Sequence, residues 1–147
     1  MARHKFKKLT NYCNTLLIHQ SIAPLLYMAV DHQQIIPYLI RACPSFARPM
    51  KRFIRRTNTK LVYVVLGEFA RHLIQLYKNN DLNEFQDVAD AIEILYIRGT
   101  DYSKEALTGG LLETIKFHCI NDNIDPEQFA KFLKPLSIRH WKSMDQS

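Results

Sequence analysis

Apolar residues recur three and four positions apart along nearly the whole chain, which is the period of an amphipathic helix. Phe6, Leu9, Cys13, Leu16 and Leu17 predict a first helix over about residues 4–20. "IAPLLYMAVDH" reads as a second, short helix with Pro24 in its first turn, where a missing N–H costs nothing. "QQIIPYLIRAC" reads as a third, with Pro37 early and Pro44 ending it. "SFARPMKRFIRR" is a fourth short element, interrupted by Pro49. From Lys60 to Asn79, Val62, Leu66, Phe69, Leu73 and Leu76 form a long stripe, stopped by "NND". Asp81 and Glu84 then have the spacing of a capping box. Phe85, Val88, Ile92, Leu95 and Tyr96 share the face of the next helix, and Gly99 has the position of a left-handed closing residue. Asp101 or Ser103 opens the helix after it.

The Gly109–Gly110 pair lies inside that helix. Leu107, Leu111, Thr114, Ile115 and His118 keep the helical period straight through the doublet. A phosphate-cradling loop needs its glycines after a strand and before a helix, and neither condition holds. Two mid-helix glycines cost roughly 1 kcal/mol each against alanine. Close approach of a neighbouring segment at Gly109 and Gly110 is the compensating gain. "NIDPEQFAKFLKPL" opens with Asp125 as cap, Pro126 in the first turn and Gln128 completing the box; Phe129, Phe132 and Leu133 point inward and Pro135 ends it. "SIRHWKSM" is a last turn with the only Trp, Trp141. Nothing alternates with period two for long. The expected fold is all-α: a single compact domain of six to eight helices spanning 1–147, as an irregular or orthogonal bundle or as stacked helical hairpins.

Charge divides the chain. Residues 1–59, with short helices, form the basic half, and residues 60–147 the longer-helix half. Residues 1–60 hold 11 Lys and Arg against one acid, Asp31, for a charge of +10; residues 61–147 hold 9 against 13, for −4. A basic half either meets an anionic partner or complements the acidic half of its own chain. Three cysteines, Cys13, Cys43 and Cys119, are few, odd in number and widely spaced, unlike a secreted disulfide framework. They read as reduced, buried thiols in a cytoplasmic protein. No apolar run approaches the ~20 residues that span a bilayer. The basic N-terminus lacks the continuous apolar stretch and small-residue site of a signal peptide.

The chemistry-bearing residues form no catalytic motif. There is no HExxH and no Cys/His zinc spacing, and no nucleophile elbow surrounds any Ser, Thr or Cys. No metal, cofactor or catalytic residue is expected. Glu68 and His72 lie four apart on one helix. Glu68, Glu93 and Glu113 each interrupt an apolar run and would perturb one another only if they converged. The strongest surface signal is "ARPMKRFIRRTNTK": Arg48, Lys51, Arg52, Arg55 and Arg56 gather on one side of a helix, with Met50, Phe53 and Ile54 on the other. A second candidate surface is acidic, around Asp87, Asp90 and Glu93.

One resemblance covers residues of about 33–145. "IIPYLIRACPSF", "LVYVVLGEFARHL", "VADAIEILYIRGTDYSKEALTGGLLETI" and "FLKPLSIRHW" occur in the order that resembles a family of small, uncharacterised bacterial helical proteins, a domain of unknown function. Pro135, Ser137 and Trp141 match its Pro-x-Ser-x-x-x-Trp ending; Gly99, Asp101, Gly110, Leu112 and Glu113 stand in its middle piece. Thr100, inserted between Gly99 and Asp101, is a small departure. The resemblance implies a compact α-helical domain similar to immunity proteins of bacterial toxin systems, which act by binding another protein. The expected function is a non-enzymatic protein-interaction module of unknown role, for which the resemblance implies an immunity or antitoxin type. The alternative is a nucleic-acid-associated protein using the Arg48–Arg56 helix. An enzyme built on Glu68, His72 and Glu113 ranks third.

Overall fold

The long stripe between Lys60 and Asn79 becomes a 17-residue helix against which several of the other elements pack. The computed structural model describes residues 28–146. In chain order these form α1 (His32–Ala42), a 3₁₀ turn (Pro44–Phe46), α2 (Ala47–Thr57), α3 (Val62–Lys78), α4 (Phe85–Arg98), α5 (residues 101–121), α6 (Pro126–Ala130) and α7 (Pro135–Ser143), with a last 3₁₀ turn (Met144–Gln146). The described part is all-α; its only β-type pairing is an isolated parallel bridge between Val30 and Gly99. The helix expected over 4–20, and most of the next one with Pro24, lie outside the described residues. The end of that second segment is not helical, because Val30 is drawn into the bridge. No described helix is long and apolar enough to cross a membrane.

Helix α3 buries Val65, Leu66, Phe69, Ala70, Leu73 and Ile74. This face is wider than a heptad stripe because α3 is covered from more than one side: α5 packs along it, and α1 and α2 also contact it. Helix α4 bridges α1 and α7. One continuous core results, in which Trp141, Phe46, Phe69 and Leu66 are fully buried. Trp141 is held by three neighbours. Phe129 stacks on its ring at 6.4 Å, the Lys116 ammonium lies 4.9 Å from the ring centre, and its indole N–H donates to Glu127 at 3.4 Å.

Helix α5 is one rod of two kinds. Asp101–Glu105 and Glu113–Asn121 are α-helical, while Ala106–Leu112 between them is π-helical. The sequence period predicted an unbroken α-helix. The wider π turn rotates the rod so that Ala106, Leu107, Gly110, Leu111 and Leu112 are all buried. A side chain at Gly110 would place its Cβ 3.1 Å from two carbons of Leu66 and 3.4 Å from the Tyr63 Cα. The Thr108 hydroxyl donates to the Lys104 carbonyl at 3.0 Å and so accepts from the Tyr96 hydroxyl at 2.9 Å, which ties the π segment to α4.

Several local expectations are corrected by tertiary contacts. Pro49 does not interrupt α2; it occupies the first turn, where its nitrogen has no helical partner. Pro135 does not end a helix but starts α7. The left-handed closing positions are taken by Asn58, Asn80 and Asn123, after α2, α3 and α5. Gly99 is extended instead (φ −68°, ψ 150°). It is required there for space, since a Cβ would sit 2.4 Å from the Leu95 carbonyl oxygen. That carbonyl caps the end of α4 by accepting from the Gly99 N–H at 2.8 Å.

Two glycine substitutions should therefore have opposite signs. Gly99→Ala is expected to destabilise the protein by about 1–3 kcal/mol, because a backbone carbonyl cannot move aside. Gly67→Ala, mid-helix with open space around it, should stabilise by about 0.5–1 kcal/mol. Urea denaturation of both variants checks the pair.

Candidate functional site

Helix α2 presents the basic face. Phe53 is buried and Met50 packs against the core, so Arg48, Lys51, Arg52, Arg55 and Arg56 are left exposed. Arg48, Lys51, Arg52 and Arg55 together line a shallow depression. Arg56 lies 5.9 Å from the Phe53 ring centre, and Arg52 and Arg56 border a second notch that includes Glu68. Arg55 and Arg56 sit in the last turn, where the helix dipole favours cations. Glu68 itself is engaged with Arg71 at 2.6 Å. Among the described residues none of the five α2 cations has an ion-pair partner.

The acidic set on α4 has a different fate. Asp87 is exposed in the first turn. Asp90 pairs with Lys134 and also accepts from Gln86 at 3.4 Å. Glu93 reaches the start of α7, where its carboxylate accepts from the Leu136 N–H (2.8 Å), the Ser137 N–H (3.0 Å) and the Ser137 hydroxyl (2.7 Å). The residue at the N-cap position of α7 is Lys134, whose side chain has no acceptor to offer, so a carboxylate from α4 caps α7 in its place. Burial pushes the Glu93 carboxyl up, but the bonds from Leu136 and Ser137 and the charge of Lys134 outweigh it and leave it below its ordinary value. Buried Ser137 and Trp141 of the Pro-x-Ser-x-x-x-Trp segment are thus packing and capping residues.

Glu68, His72 and Glu113 do not combine as a set. Glu113 is exposed on α5, and His72 turns towards a cluster that sequence reasoning missed. The end of α1, the following turn, α3 and the start of α4 bring together Cys43, Ser45, His72 and Glu84. Asp81 and Glu84 form no capping box: Asp81 accepts from the Asn83 side chain at 3.0 Å, and Glu84 leaves its own helix. One Glu84 oxygen accepts from the Ser45 N–H at 3.1 Å. The other accepts from the Cys43 thiol at 3.0 Å and from the Ser45 hydroxyl. The Ser45 oxygen lies 2.8 Å from the His72 Nε2, and the His72 ring packs on Phe46 with centroids 5.4 Å apart.

Electrostatics here do not favour a nucleophile. Burial and the hydrogen bond to Glu84 push the Cys43 thiol up to about 12, and burial pushes the second described thiol, Cys119, up to about 11. Thiols held so high are protonated at neutral pH and are weak nucleophiles. Burial lowers the His72 imidazole against the pull of the Glu84, Glu68 and Asp81 carboxylates. Burial opposes ionisation of Glu84, but its bonds from Cys43 and Ser45 prevail and hold it below its ordinary value. Glu84 bonds Ser45 directly rather than orienting the far side of His72, which is not the order of a serine triad. No local spacing announces this cluster. Its members are 2, 27 and 12 residues apart along the chain, and Glu84 is disguised as a helix cap.

Residues 36–147 match the family described as Domain of unknown function (DUF7674). The chain belongs to this family. The match covers three quarters of the sequence and all of α2–α7. No curated protein and no solved structure matches the chain. For this member of the family, the capping role of Glu93 can be isolated. Its folded-state value is depressed, so its contribution is present above the ordinary value of 4.5 and is lost as the pH falls through the folded value. Glu93→Gln should therefore destabilise the protein by about 1–2 kcal/mol at neutral pH. The gap to wild type should narrow as the pH drops below 4.5, and denaturation followed across that range measures it.

Proposed function

We propose that this chain is a non-enzymatic helical binding module that presents the cationic face of α2 to an acidic surface on another protein. The observation that carries the reading is that Arg48, Lys51, Arg52, Arg55 and Arg56 are exposed with no ion-pair partner among the described residues, although the chain holds 14 acids. Five unneutralised cations on one helix repel one another unless a partner supplies the counter-charge. Protein is favoured over single-stranded nucleic acid because the aromatic residue of this helix, Phe53, is buried and leaves no exposed ring on which a base would stack. The non-enzymatic part is supported by the engagement of Glu68 with Arg71 and of His72 with Ser45. An immunity-type role, in which binding silences a partner protein, is the form of this reading that the family resemblance favours. The two cysteines among the described residues, both buried free thiols, suit a reducing, cytoplasmic setting.

The test compares wild type with Arg52→Glu plus Arg55→Glu on an immobilised glutamate-rich peptide and on duplex DNA, over a range of salt. Wild type should bind the acidic peptide in a salt-sensitive manner, and the double variant should lose about tenfold or more in affinity, since exposed charges add small terms that reverse sign together. Circular dichroism should show the same helix content in both. Strong retention on DNA with a slope of about −0.9 per neutralised phosphate, abolished in the double variant, would replace this reading with the nucleic-acid one.

A further inference from the structure

The Cys43, Ser45, His72 and Glu84 cluster carries an inference independent of the basic face. We propose that Cys43, His72 and Glu84 bind a single Zn²⁺ ion. One donor atom from each of the three residues lies within 4.8 Å of the other two. A tetrahedral zinc takes sulfur at about 2.3 Å and nitrogen or oxygen at about 2.0–2.2 Å, so small side-chain rotations bring the three donors onto one ion. Cys43 and Glu84 already approach at 3.0 Å.

The donor set selects the metal. A thiolate and an imidazole are borderline-soft ligands, and the carboxylate is hard; zinc accepts all three, whereas magnesium and calcium sites are built from oxygen alone. Thiolate and carboxylate together neutralise the charge of the ion. Binding replaces the S–H bond of Cys43 with a sulfur–zinc bond, and the proton leaves to solvent.

The surroundings hold the donors in place. The Cys43 N–H is tied to the Leu39 carbonyl at 2.8 Å, which fixes the end of α1. The His72 ring rests on Phe46. The Ser45 N–H binds one oxygen of Glu84 and leaves the other facing Cys43. Such supporting contacts orient the ligands of zinc sites. Ser45 is exposed, so the side of the cluster opposite the buried thiol opens to solvent, and its hydroxyl or a water completes the fourth position. The ion would join α1, α3 and α4, three segments distant in sequence, and fix the turn from which α2 begins.

Cobalt(II) titration of the full chain tests this, because a thiolate on tetrahedral cobalt gives an intense near-ultraviolet charge-transfer band. Wild type should take up one equivalent with that band, and zinc should bleach it. A Cys13→Ser, Cys119→Ser variant should keep the band, and Cys43→Ser should lose it. His72→Ala and Glu84→Gln should each weaken cobalt affinity by about tenfold or more. Added zinc should raise the melting temperature of wild type and leave that of His72→Ala unchanged. The proposal is overturned if wild type shows no thiolate–cobalt band, if Cys43→Ser keeps it, or if the Cys13→Ser, Cys119→Ser variant loses it. Should Cys43→Ser fail to fold, an equal zinc response in wild type and in His72→Ala overturns it as well.

Discussion

The described structure turns on the close packing of α3 against the π-helical part of α5. At Gly110 the two backbones are near enough that even a methyl group would press on Leu66. Most of the architecture follows from that contact. Helix α3 buries a face too wide for a single partner, so it needs a neighbour lying along its length as well as α1 and α2 beside it. A regular α-helix would carry one of Leu107, Leu111 and Leu112 away from the core. The π turn keeps all three inside. Glycine at 110 has the missing volume that the close approach calls for.

Side chains suited to local work serve distant elements instead. Glu84 has the spacing of a capping-box partner and Glu93 looks like a solvated helix residue. Each reaches across to another segment: Glu84 to the turn after α1, Glu93 to the first turn of α7. The physical reason is the same in both cases. A turn and a helix start each expose backbone N–H groups that their own sequence does not satisfy, and a half-buried carboxylate is the strongest acceptor available. Capping in trans therefore binds elements together while it closes them.

The basic face and the polar cluster lie at opposite ends of one short connection. Cys43 precedes and Ser45 lies within the turn that leads directly into α2, and Arg48 is the second residue of that helix. Whatever orders the turn also orients the cations. The core beneath α2 is anchored by Phe46 and Phe53, and Phe46 is the ring on which His72 rests. The exposed basic face and the polar cluster thus share one structural support.

Much of this protein was legible without coordinates. The helical period from Ile35 to Trp141 sets the all-α class, because apolar residues three and four apart can be buried only on helices. The spacing of Arg48, Lys51, Arg52, Arg55 and Arg56 against Phe53 sets an exposed basic face for the same reason. Only the tertiary structure decided what depends on contacts between segments far apart in the chain. The extended Gly99 answers to the Leu95 carbonyl and the bridge to Val30. The π turn answers to the crowding of α3. The meeting of Cys43, Ser45, His72 and Glu84 answers to the packing of α1, α3 and α4. A periodic pattern states which face of each helix is buried; it holds no information on which polar groups of separate helices will meet once those faces close.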